Sequence, residues 1–158
     1  MHRLGTACLL ALASCSNPDQ PSASAGKLGE SAAEASTLIF EPERITFSDI
    51  ETNDLFGVGC GFAAGTGMSV VLMTMPEHAY MKLDGRIEQF AADRGSAKLP
   101  FGTWGAYRND AYSVKLSQPT DQGKPAGYEV TSWRGSMRVL DQDGRIVYDE
   151  TGTLQCGS

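Results

Sequence analysis

The sequence predicts an all-β domain, a small sandwich or barrel of short antiparallel strands, preceded by a signal peptide and a disordered tether. Three observations carry this reading. Downstream of Leu38, apolar and polar residues alternate with period two over several short runs. Asp84-Gly85, Asp143-Gly144 and Thr151-Gly152 fall between the runs as turn signals. No apolar pattern at helical spacing persists for a dozen residues in that region. Many short strands separated by Gly-containing turns are the pattern of a sandwich or barrel.

The first segment, residues 1–14, has the layout of a signal peptide. His2 and Arg3 supply a positive start, Leu4 to Ala13 is apolar apart from Gly5 and Thr6, and small Ala13 and Ser14 precede the expected cleavage point. The run is far shorter than the roughly 20 apolar residues that span a bilayer. Cys15 follows Leu12-Ala13-Ser14 directly. This arrangement resembles the lipobox of bacterial lipoproteins, in which the cysteine is lipidated and begins the mature protein. The resemblance implies acylation of Cys15 and attachment to the membrane through two or three chains. Each buried methylene contributes about 0.8 kcal/mol and one chain binds only reversibly, so two or three are enough for stable anchoring. Ser16, not Asp, follows the cysteine. By the family's sorting pattern this implies the cell envelope, at the periplasmic face of the outer membrane.

Residues 15–37 read as the lipidated tether. Ser, Ala, Gly and Pro dominate, and such a composition cannot bury enough apolar surface to offset the entropy of ordering. Pro18 and Pro21 stiffen it locally. Glu30 to Ala35 has the composition of a transient helical turn.

Residues 38–158 are enough for one domain with one core. The expected strands are Leu55–Phe62, Val70–Met75, Ala79–Leu83, Ile87–Ala91, Tyr112–Leu116, Tyr128–Thr131, Met137–Leu140, Ile146–Tyr148 and a terminal strand Thr153–Cys156. Val70–Met75 is apolar except for Thr74, the pattern of a strand buried on both faces. The formal charge of −6 gives no support to nucleic-acid binding. It also argues against a broad electrostatic hold on anionic lipid, which leaves anchoring to the acyl chains.

Of four cysteines, Cys8 leaves with the signal and Cys15 carries lipid on this reading. Cys60 and Cys156 remain, an even pair in an oxidising compartment, and predict one disulfide. The bond would pin the terminal strand against the strand that holds Cys60.

The search for chemistry yields no catalytic residue. His78 is the single histidine downstream of the signal, and no G-x-S-x-G elbow accompanies it. Asp84, Glu88, Asp93, Asp143 and Asp149 lie in or beside turns, where a solvated acid is the default. The sharpest local feature gathers Met73, Met75, His78 and Met81 within nine residues. Thioether and imidazole suit Cu(I), and the segment resembles the Met- and His-containing motifs of periplasmic copper carriers. The simpler reading packs Met73 and Met75 as adaptable hydrophobes and leaves His78 in a turn, so no cofactor is implied outside the copper alternative. Trp104, Tyr107, Tyr112 and Trp133, with Arg108 and Arg134 near in sequence, are material for an envelope protein partner or, more simply, for the core. The chain is also similar to the membrane-bound inhibitors of C-type lysozyme. The likeness rests on the anchor, the size, Cys60, the late Cys156-Gly157 and the Asp93-Arg94-Gly95-Ser96-Ala97 segment ahead of Tyr107. The departures from that family's loop motifs weigh against the likeness. The expected role is binding or structural, with no catalysis.

Overall fold

In the computed structural model the described residues are 40–117 and 122–157. The expected signal peptide, the acylated Cys15, the tether and the Glu30–Ala35 turn therefore lie outside the described residues.

The domain is an antiparallel barrel of eight strands. In chain order these are β1 (Gly59–Ala64), β2 (Val70–Thr74), β3 (His78–Leu83), β4 (Arg86–Ala92), β5 (Ala106–Arg108) and β6 (Tyr112–Ser117), then β8 (Val130–Asp141) and β9 (Ile146–Gly157). Neighbours in sequence pair with each other, β6 pairs with β8, and β9 returns to β1. A ninth strand, β7 (Lys124–Gly127), branches from the barrel. Closure depends on the length of β8. Its C-terminal half pairs with β6, from Ser117↔Ser136 to Tyr112↔Asp141. Its N-terminal half pairs with β7, at Lys124↔Ser132 and Pro125↔Thr131. The free edge of β7 is short and carries Lys124 and Pro125, features that discourage further strand pairing.

The expected alternation sets the interior. Along β6, Val114 and Leu116 are buried while Lys115 and Ser117 are exposed. An eight-stranded barrel is just wide enough for its own side chains to fill. Phe62, Leu72, Met81, Phe90, Tyr107, Val114, Met137 and Leu154 do so here, all fully buried. Phe40 covers one end, its ring 4.8 Å from that of Tyr112 and 6.2 Å from that of Tyr148. At the other end the Tyr107 hydroxyl donates to the Met75 carbonyl and accepts from the Trp104 N–H, both at 2.9 Å.

Cys60 and Cys156 form the expected disulfide as a directly opposed pair of β1 and β9, with Cα atoms 4.0 Å apart. Asp84 and Gly85 form the expected tight turn, both at positive φ (49° and 74°), the geometry a two-residue hairpin loop requires.

Several expectations are corrected. Thr151-Gly152 is no turn but lies inside β9. A Cβ on Gly152 would stand 2.1 Å from the Ala63 carbonyl oxygen, so the glycine serves close strand approach. The strand expected from Leu55 begins only at Gly59. Tyr128 and Glu129 form the β7–β8 turn, with Glu129 at φ 57°, and the strand starts at Val130. A short helix, α1 (Phe47–Asn53), was not expected. Thr46 and Asp49 cap its start reciprocally, and Asp54 in the left-handed conformation ends it.

Candidate functional site

The site is a groove on the outside of the barrel, built where β1 and β2 meet. Leu72 and Thr74 of β2 face the core opposite Met81 and Ala79 of β3. The intervening Met73 and the following Met75 therefore point outward. Across the ladder, Gly61 lies opposite Met73. Gly59 and Gly61 thus leave the outer face of β1 without side chains, and a trough results. The glycines also let the chains approach: a Cβ on Gly59 would meet the Thr74 carbonyl oxygen at 2.0 Å.

Ile45, Ile50, Met68 and Val70 complete the walls of a groove of about 450 Å³. Arg44 is its one charged lining residue, and it makes no ion pair among the described residues. Of the lining residues Met68 is 86% exposed, and Phe47 (66%), Phe56 (59%) and Val58 (44%), near Ile50, Gly57 and Gly59 in sequence, are exposed as well. The rings of Phe47 and Phe56 meet edge-on at 6.4 Å. Scattered exposed hydrophobes are ordinary, but a contiguous cluster beside a groove marks an interaction surface.

Helix α1 supplies one wall and is held by Asp49. Its carboxylate accepts from the Lys82 ammonium at 2.9 Å and from the Thr46 N–H and hydroxyl at 2.7 Å each. The hydrogen bond from Lys82, then those from Thr46, lower its pKa from 3.8 to about 2. A carboxyl held below its unfolded value stabilises the fold above the unfolded pKa and loses that contribution as pH falls through the folded one. Protection of the Ile50 and Leu55 amides, their exchange taken relative to the intrinsic rate at each pH, should therefore fall between about pH 4 and pH 2 in the native chain. In Asp49→Asn that step should vanish and the protection should be low throughout. An unchanged acid step in the variant would assign it to other carboxylates.

The structure divides the expected copper ligands. Met73 and Met75 line the groove. His78 starts β3 and is not in a turn; its carbonyl accepts from the Met75 N–H at 2.7 Å and its half-buried ring lies 6.4 Å from that of Tyr80. Met81 is excluded from this group, because it is 0% exposed inside the barrel, on the opposite face of the sheet. The groove instead adds Met68, which sequence reasoning missed. Met68 lies in the β1–β2 loop, and no periodicity links a loop residue to a strand face. Among the described residues no group of three His, Cys, Asp or Glu side chains stands close enough to hold a metal ion.

The aromatic set, assigned by sequence to the core with a partner surface as the alternative, is divided by the structure. Tyr107 and Trp133 are core residues, and burial raises the Tyr107 phenol above its usual pKa. Trp104 is half-buried, donates from its indole to the Pro76 carbonyl at 3.1 Å and lies under Lys98. Arg134 is exposed on the outer face of β8, opposite Thr153. Alternation accounts for the split, since Trp133 and Arg134 are consecutive and must face opposite ways. The Asp93–Ala97 segment is a self-bonded loop, in which the Ser96 hydroxyl donates to the Asp93 carbonyl and Gly95 N–H donates to the Asp93 carboxylate. No family model, curated protein or solved structure matches this chain.

Proposed function

We propose that the chain is a lipid-anchored envelope protein whose barrel binds an apolar segment of a partner protein, with no catalytic role. The observation that supports the binding role is the open groove of Met68, Val70, Met73 and Met75 with the exposed Phe47–Phe56 pair. Methionine is the flexible, polarizable lining of adaptable binding surfaces. Arg44 adds charge selectivity: the favoured segment is apolar and carries one carboxylate.

The dye anilinonaphthalene sulfonate combines aromatic rings with an anion and serves as the probe. The full chain should bind it, and an Arg44→Gln, Phe56→Ser variant should bind it about tenfold more weakly, the loss expected from one aromatic contact and one charge. Equal affinity in the two proteins would exclude the groove.

A second reading rests on the three thioethers in one groove. Cu(I) is the ion that such soft ligands select. On this reading Cu(I) raises the unfolding midpoint of the native chain and of Met81→Leu. It leaves a Met68→Leu, Met73→Leu, Met75→Leu variant unmoved. Absence of a rise in the native chain ends it.

A further inference from the structure

The acidic net charge conceals a basic wall. On β5, β6 and β8 the buried residues Tyr107, Val114, Met137 and Val139 face inward. Alternation turns Arg108, Lys115, Arg134 and Arg138 outward, and all four are exposed. Lys124 on β7 extends the row opposite Ser132, next to Arg134. The outward positions of these four strands carry no carboxylate. The nearest on the adjoining strand is Asp149 of β9, bonded to Arg138 at 2.6 Å. Arg108, Lys115, Lys124 and Arg134 make no ion pair among the described residues. Lys115 even stands directly opposite Arg138. Like charges so placed destabilise a sheet, and nothing in the barrel's own packing requires them.

Of the remaining carboxylates, Glu77, Asp84, Asp93, Asp110, Glu129 and Asp143 are in loops and turns, Asp141 ends β8 bonded to Arg145, and Glu150 lies exposed on β9 opposite the inward Met137.

We propose that this wall lies against the anionic headgroups of the bilayer. The inference rests on the lipid-anchor reading. Phe40, the first described residue, packs on Tyr112 at the start of β6. The chain thus joins the barrel beside the strand that carries Lys115. Twenty-five residues separate Cys15 from Phe40, a contour that cannot exceed about 90 Å. An anchored chain would hold the wall within that distance of the headgroups, so that even weak attraction acts at high effective concentration. Tyr128, 91% exposed at the tip of the β7–β8 hairpin, is an aromatic of the kind that settles at headgroup level.

The test uses the full chain with Cys15→Ser, which separates the wall from acylation. Co-sedimentation is measured with vesicles of phosphatidylglycerol and phosphatidylcholine, one to two, and with phosphatidylcholine alone. Binding should require the anionic lipid and weaken as salt rises. Each cation near an anionic surface contributes about fivefold. Adding Arg108→Gln, Lys115→Gln and Arg134→Gln should therefore reduce binding about a hundredfold while the near-ultraviolet circular dichroism stays unchanged. Equal binding by the parent and this variant, or equal binding to neutral vesicles, overturns the proposal. Displacement by inorganic phosphate beyond that caused by sodium chloride of equal ionic strength would reassign the wall to a small anion and overturn it too. The anchor reading fails separately, if mass spectrometry of the native protein finds no acyl increment on Cys15.

Discussion

Replacing both disulfide cysteines, Cys60→Ala with Cys156→Ala, should lower the unfolding free energy by about 4–5 kcal/mol. The bond joins residues 96 apart in sequence. Its removal restores to the unfolded chain the freedom that the closed loop denies it. Both residues are buried, and the Cys60 sulfur packs 3.5 Å from the Thr103 hydroxyl, so a small packing loss adds to the entropic one. Small domains have only about 5–15 kcal/mol in hand, so the variant should be marginal at physiological temperature. Urea unfolding of the full chain measures this. A difference below about 1 kcal/mol would mean that the β1–β9 ladder keeps the unfolded chain compact without the bond.

Gly152→Ala should be a strongly damaging single-methyl addition, at about 3 kcal/mol. The new Cβ would lie 2.1 Å from the Ala63 carbonyl oxygen and 2.9 Å from Cζ of Phe62. Neither neighbour can withdraw cheaply. Ala63 belongs to the β1 backbone in the ladder with β9, and Phe62 is fully buried in the core. β9 would have to part from β1 close to the disulfide. Gly144→Ala is the informative comparison. That position has φ 76° and open space around it, so only backbone strain is added. Its cost should be about 1 kcal/mol. Equal losses in the two variants would show that crowding at Gly152 is relieved by a backbone shift.

The two glycines show why legibility differs along the chain. Asp84-Gly85 was readable as a turn because a hairpin loop needs positive φ at that point. Thr151-Gly152 looks the same in sequence but answers to a different constraint. The carbonyl it approaches, that of Ala63, is almost ninety residues away, and only the β1–β9 register, with Gly152 opposite Ala64, brings the two together. Helix α1 escaped notice because seven residues span barely two turns, too few for a period of 3.6 to show. The branch strand β7 has no alternation at all, since all four residues are exposed.

Sequence alone determined the all-β class, the faces of β3 and β6 and the pairing of Cys60 with Cys156, because each follows from period two, local turn chemistry or the parity of thiols. Tertiary structure alone decided that the sheet closes into a barrel and that Met68 joins Met73 and Met75 over a floor of glycine. It also decided that a chain of net charge −6 presents a wall of arginine and lysine. Composition is a sum, whereas a surface is an arrangement: strand register between distant segments determines which side chains share a face, and register is fixed only when the core is packed.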